Sequence, residues 1–184
     1  MIKFIFVGPE STGKSTLCKA LAEYYNVPYV REMCRVMAEE RAPAIMDASK
    51  INFEFYTEDF VKMAIAQNEE ETAATIAAAG RKFIICDNDT FAVNIWCERY
   101  LGAPHELGVN VPDDGHKRIY ILTKPNVPFV QDGYRDGEHI REWMYERFLT
   151  ELKAKHLKFY IIDSPDYEMR NIMAKRIIKK NYFN

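Results

Sequence analysis

The chain has 184 residues, 48% hydrophobic and 28% charged, and its 25 lysines and arginines against 27 aspartates and glutamates leave a formal charge of -2. That length is enough for a single globular domain spanning 1–184 with a sizeable core, and the composition excludes a disordered polymer and a chain made of membrane spans. The near-neutral balance gives no global attraction to nucleic acid or to an anionic bilayer, so neither is an expected partner and any basic site must be local.

The first element is the apolar run KFIFV (3–7), a β-rich strand. Directly behind it comes GPESTGKST (8–16), in which Gly8, Gly13, Lys14 and Ser15 satisfy the phosphate-binding pattern GxxxxGK[ST]. A helix is expected from Lys14, with Leu17, Leu21 and Tyr24 at helical spacing, and VPYV (27–30) reads as a short strand before a helix around Glu32–Arg41. Phe53, Tyr56, Phe60, Met63 and Gln67 trace one face of a long helix that runs to about Ala79, where Gly80 supplies the stop. KFIIC (82–86), RIYIL (118–122) and KFYII (158–162) are further strands expected to be buried, and Thr90–Tyr100 is a helix. Two irregular stretches interrupt the rhythm: the surface loop 102–116, and the segment 125–142, which leads into a helix carrying Ile140, Met144, Phe148 and Leu152 on one face.

Continuous apolar strands separated by helices require parallel crossovers with both sheet faces covered. The expected fold class is therefore α/β: a three-layer α/β/α P-loop NTPase fold with a parallel sheet of about five strands, like the nucleoside monophosphate kinases, with a lid at about 125–142. Cys18, Cys34, Cys86 and Cys97 lack metal-ligand spacing and read as reduced thiols. The apolar start ends at Gly8 after about six residues, too short for a signal or membrane segment, so a cytoplasmic protein is expected.

The phosphate pattern has a physical basis. Gly13 lets the backbone curl, the amides of the loop and of the helix N-terminus converge on an anion, Lys14 reaches the β and γ oxygens, and the Ser15 hydroxyl ligates magnesium. The expected nucleotide-binding segment comprises Gly8, Glu10, Ser11, Thr12, Gly13, Lys14, Ser15 and Thr16, and the expected cofactors are ATP and Mg2+. No guanine-reading NKxD follows a later strand, TKPN (123–126) being only similar to it.

FIICDNDT (83–90) supplies two carboxylates, and alternation along an extended chain would put Asp87 and Asp89 on the same side. Asp87 is the better candidate for accepting the proton of an attacking hydroxyl or for supporting the metal, while Asp89 either shares the site or caps the next helix. In the lid, Gly133 and Gly137 are expected hinges and Arg135, ahead of Arg141, the expected transition-state arginine. Gln67, in an apolar stripe, must find partners in the fold or on a ligand. Glu32 and Arg35 of REMCR either enter an acceptor pocket or form a surface pair.

GPESTGKST, VREMCR, Gln67, ICDNDTFAV and VQDGYR, in this order and at these separations, resemble the ribosylnicotinamide kinase domain of bacterial NadR proteins over effectively the whole chain. The resemblance implies transfer of the ATP γ-phosphate to the 5′-hydroxyl of nicotinamide riboside, a step of NAD biosynthesis. It matches Asp87 and Asp89 to the family's paired acidic positions, Arg135 to its lid arginine, and Glu32 and Arg35 to its Glu-x-x-Arg. A cationic pyridinium ring would favour aromatic walls, for which Trp96, Tyr56, Phe60 and Phe91 are candidates. By fold analogy the adenine would lie near IDSPDY (162–167). His105, His116, His139 and His156 form no HxGH motif, so kinase activity alone is expected. A nucleoside or nucleoside monophosphate kinase and a non-catalytic ATP sensor are the alternatives.

Overall fold

The computed structural model describes residues 1–41, 47, 50–52 and 54–182. The apolar runs form strands β1 (Ile2–Val7), β2 (Tyr29–Val30), β3 (Phe83–Asp87), β4 (Lys117–Thr123) and β5 (Phe159–Ile162). Between and after them lie helices α1 (Lys14–Tyr25), α2 (Met33–Arg41), α3 (Thr57–Ala77), α4 (Thr90–Leu101), α5 (Arg141–Ala154) and α6 (Tyr167–Tyr182). The five strands make one sheet in the order β2-β3-β1-β4-β5, and each pairing is parallel. Parallel neighbours cannot be joined by a tight turn, so the chain crosses over through helices that cover both faces.

Central β1 serves two cores by alternation. Ile5 and Val7 face Phe60 of α3, Phe91 of α4 and Phe148 of α5, whereas Phe4 and Phe6 face Leu17 and Leu21 of α1 and Ala174 and Ile178 of α6. This is the three-layer α/β/α P-loop arrangement expected from the sequence. Among the described residues no helix is long and apolar enough to cross a membrane. All four cysteines are free, with Cys18, Cys86 and Cys97 buried.

Three expectations need correction. The long helix begins at Thr57, because Asp59 accepts a hydrogen bond from the Tyr56 amide at 2.9 Å and closes a capping box there. Tyr56 is thus an exposed cap outside the buried stripe of Phe60, Met63 and Gln67; Phe53 lies outside the described residues. The fifth strand pairs only with β4, and as an edge it leaves Ile161 exposed instead of covered on both faces.

Lys3, inside an apolar strand, is 1% exposed. Its ammonium bonds Glu71 of α3 at 2.7 Å and also Asp114, and Arg118 of β4 joins Glu71 and reaches Asp89 at 3.4 Å. A buried charge this deep persists because it is paired and hydrogen-bonded on several sides.

Candidate functional site

The loop between β1 and α1 curls through two residues with left-handed backbone, Ser11 (φ 53) and Gly13 (φ 79). A Cβ on Gly8 would stand 2.7 Å from the Thr123 carbonyl, so that glycine is required by close approach to backbone, while Gly13 is required by its left-handed φ, a Cβ there also displacing the Tyr167 hydroxyl. Thr12 locks the curl by donating to the Pro9 carbonyl at 2.9 Å and pairing with the Thr123 hydroxyl at 2.7 Å. Lys14, 5% exposed, donates to the Pro9 carbonyl at 2.7 Å, which holds its charge inside the loop. The loop opens α1, so the helix dipole adds to that positive field.

The segment between β4 and α5 folds back over this loop. The Val130 amide donates to Ser11 Oγ at 2.8 Å, the Gly137 amide to the Glu10 carboxylate, and Arg141 to the Ser11 carbonyl at 3.2 Å. Arg135 pairs with Asp132 at 3.1 Å, donates to the Val130 carbonyl and comes within 3.4 Å of Ser11 Oγ. Asp132 also pairs with Arg35 of α2 at 3.0 Å, and the Arg35 guanidinium lies 4.4 Å from the centre of the Tyr134 ring. Asp136 is latched to Arg99 at 2.7 Å and to the Tyr100 hydroxyl at 3.2 Å. Gly133 has the left-handed φ of 89 that its turn requires. Gly137 does not: its φ is -106, and it is small because a Cβ would collide with the Glu10 carboxylate.

Between loop, lid, α2 and α4 runs a cleft of about 840 Å³. It is lined by the phosphate loop from Glu10 to Thr16, by Arg135 and Tyr167, by Glu32 and Arg35, and by the apolar and aromatic side chains Phe55, Phe60, Met63, Trp96 and Tyr100. Asp87, at the tip of β3, faces the same cleft as Lys14. It is 1% exposed, accepts from the Tyr29 hydroxyl at 3.2 Å through Oδ2, and its buried Oδ1 has no hydrogen-bond partner.

Among the described residues burial raises four carboxyls, three of which line the cleft, Asp87, Glu32 and Glu10; the fourth, Asp89, pushed up to about 6, lies outside it. Burial pushes Asp87 above the ordinary carboxylate range, against the pull of the Lys14 ammonium and the Ser15 and Tyr29 hydroxyls. Burial and the adjacent Asp87 push Glu32 up to about 7, opposed by Lys14, by a hydrogen bond from the Asn88 amide and by Arg35. Burial and Asp136 push Glu10 up to about 7. Two carboxyls disposed to share a proton beside a lysine are the electrostatic pattern of a reactive centre.

Magnesium fits these residues. An unpartnered carboxylate oxygen on Asp87 and the hydroxyl of Ser15 are hard oxygen donors near one another. Among the described residues no cluster of three or more acidic, histidine or cysteine side chains is present.

The AAA domain family matches residues 3–170. This chain is a member of that family. None of the curated proteins matches the sequence. Among solved structures, a NadR protein in complex with NR superposes with a TM-score of 0.80 at 22% identity, over 97% of this chain and 50% of that one. The AAA-family chain thus spans about half the length of that NadR protein. Deoxyadenosine kinase from M. mycoides with bound dATP superposes at 0.60 with 14% identity, over 97% of this chain and 100% of the other. Thymidylate kinase from Ehrlichia chaffeensis gives 0.63 at 15%, over 96% and 98%. The resemblance to NadR proteins read from the motifs is therefore matched by the fold.

Within this AAA-family fold, Lys14, Ser15, Asp87, Arg135, Glu32 and Arg35 come together on one cleft, and Asp89 and Gln67 do not join them. Asn88 has a left-handed φ of 67, which breaks the alternation and turns Asp89 away from Asp87. Asp89 caps α4 at the Ala92 amide (3.4 Å) and accepts from the Tyr120 hydroxyl at 2.8 Å, so its expected place in a substrate site is corrected to a structural one. Gln67 accepts from the Met33 amide at 2.9 Å and donates to the Arg31 carbonyl at 3.0 Å. It braces the turn that carries Glu32, and its side chain is fully buried and does not line the cleft. Of the aromatic candidates Phe60 and Trp96 line the cleft; Phe91 is core against Tyr120, and Tyr56 is the exposed cap. Tyr29, Asn88 and Arg170 were missed. Tyr29 was findable as the tip of VPYV; for Arg170 the sequence carries no local signal.

Proposed function

We propose that this protein is a small-molecule kinase that transfers the ATP γ-phosphate to the 5′-hydroxyl of nicotinamide riboside, giving nicotinamide mononucleotide. The observation that carries the reading is the meeting of Lys14 and Asp87 on one cleft that is also lined by aromatic side chains and by Glu32. The phosphates rest on the amides of residues 10–16, with Lys14 on the β and γ oxygens. Ser15 and Asp87 would hold a magnesium ion, which would supply charge neutralisation to the phosphates. The acceptor ribose lies toward Glu32 and Asp87, where Asp87 receives the hydroxyl proton as the alcohol attacks. Arg135, already over the loop at Ser11, offsets the charge that spreads over the transferring group, and the lid excludes water. Phe60, Trp96 and Tyr100 provide apolar and aromatic surface for a flat cationic ring, and Glu32 adds a negative charge for it. The NadR protein bound to NR supports this acceptor, and the protein is then a cytoplasmic enzyme of NAD salvage.

The test is chromatography of products after incubation with Mg-ATP and either nicotinamide riboside or a panel of nucleosides and nucleoside monophosphates. Nicotinamide mononucleotide is expected. Turnover of a nucleoside or monophosphate with silence toward the riboside would replace the acceptor, and ATP binding without any acceptor-dependent ADP release would make the protein a sensor.

A further inference from the structure

Arg170, in the first turn of α6, is among the largest fully buried side chains, at 1% exposure. Its guanidinium donates to four oxygens: the Ser164 carbonyl at 2.6 Å, the Thr12 carbonyl at 2.7 Å, the Lys124 carbonyl at 2.6 Å and Asn126 Oδ1 at 2.5 Å. None of these is a carboxylate. A buried cation whose direct partners are all neutral oxygens, with the Asp163 carboxylate reaching it only at longer range through Asn126, recovers less of its desolvation cost than a direct ion pair would. It sits where its charge has a use. The three segments it joins are the phosphate loop, the turn after β4 and the turn after β5, all at the same edge of the sheet.

A second guanidinium does similar work one residue earlier. Arg141, 9% exposed, donates to the Ser11 carbonyl at 3.2 Å and to the Val127 carbonyl at 3.0 Å. Successive loop carbonyls, Ser11 and Thr12, are thus each held by a buried arginine. In a trans peptide the C=O and the following N–H point in opposite directions. Holding those two carbonyls toward the arginines turns the amides of Thr12 and Gly13 the other way, toward the concave side of the loop. Two cations behind the loop also raise the positive potential in front of it.

We infer that Arg170 is a positioning residue that, with Arg141, aims the Thr12 and Gly13 amides and charges the loop for the terminal phosphates of a nucleoside triphosphate. The inference rests on the reading of this loop as the donor site and is independent of the acceptor.

The test is calorimetric titration of the unaltered protein, Arg170→Lys and Arg170→Ala with AMP, ADP, ATP and inorganic tripolyphosphate, with thermal unfolding of each and the acceptor KM where turnover is seen. Arg170→Lys keeps the charge and loses the fork; it is expected to lose about tenfold or more in affinity for ATP and tripolyphosphate, with AMP and the acceptor KM little changed. Added guanidinium is expected to restore part of the lost ATP affinity in Arg170→Ala, by occupying the space left behind. Should Arg170→Ala fail to fold, Arg170→Lys decides. A folded Arg170→Lys that binds ATP and tripolyphosphate as tightly as the unaltered protein overturns the inference, as does a loss of equal size for AMP and ATP. If the unaltered protein binds ATP in this graded way yet phosphorylates no riboside, the inference stands and the proposed acceptor falls. No ATP binding by the unaltered protein overturns both.

Discussion

The phosphate loop and the α2 region, which both line the cleft, are built differently. In the phosphate loop Thr12 and Lys14 are buried, and Lys14 is bonded within the loop to the Pro9 carbonyl; Thr12, Ser11 and Glu10 have short polar contacts to neighbouring segments, and Gly8 and Gly13 have positive φ values that a side chain would strain. Around Glu32 and Arg35, α2 has no buried residue; Asn88 bonds Glu32, Asp132 pairs with Arg35, and Gln67 braces the backbone on either side of Glu32. On the proposed reading this difference has a use: a triphosphate tail has one shape, so its site can be rigid, whereas an acceptor must enter and leave, and the helix beside Glu32 and Arg35 has no buried residue.

The sharpest way to break this comparison is to remove its two chemical anchors. Lys14→Ala is expected to lower turnover by about a thousandfold and to weaken ATP binding as well, since the charge acts in both ground and transition states. Asp87→Asn is expected to lower turnover by about a hundredfold or more while ATP binding is largely retained, read by steady-state kinetics beside calorimetry. If Asp87→Asn turns over normally, the carboxylate has no part in the chemistry.

Next in size is the rigid loop itself. Gly13→Ala places a methyl group on a left-handed residue and against Tyr167, and is expected to cost about 1–2 kcal/mol from backbone strain alone, with weaker ATP binding. Wild-type stability by denaturant titration would show that the loop relaxes freely.

Gln67→Leu tests the support around Glu32. It strands the Met33 amide and the Arg31 carbonyl, so the acceptor KM is expected to rise about tenfold while the ATP KM holds. Equal changes in both constants would erase the distinction between the two regions.

The smallest effect is on pH. Glu10 and Glu32 have folded-state values near 7 against an ordinary 4.5, so between those limits the folded state binds more protons than the unfolded state. Stability therefore falls as pH rises from about 4.5 to about 7, and the denaturation midpoint should decline across that window. Glu10→Gln is expected to flatten part of the decline, and an unchanged slope would remove Glu10 from the account.

Much of the site could be read from the chain before folding. Apolar runs at 3–7, 82–86 and 118–122 gave strands close to their observed bounds, because strands covered on both faces leave an uninterrupted signal. The phosphate loop was legible because its glycines and lysine act locally. Asp89 was misjudged because the alternation rule assumes an extended chain, and Asn88 ends the extension one residue after Asp87. Tyr56 matched the helical period by coincidence, since the capping box fixes the start beyond it.

What the amino-acid sequence determined by itself was the set of short-range features: strand and helix periods, the curl of the phosphate loop, and an acidic residue at the tip of β3. Each depends on backbone preferences and hydrophobic spacing within a few residues. What only the tertiary structure decided was which polar groups face the cleft and which are spent inside the fold. The partners of Arg170, Gln67, Asp89 and Lys3 lie 29 to 158 positions away, apart from the Ser164 carbonyl six before Arg170 and the Ala92 amide three after Asp89. Contacts over such separations are set by how the sheet and helices pack, which no local period encodes.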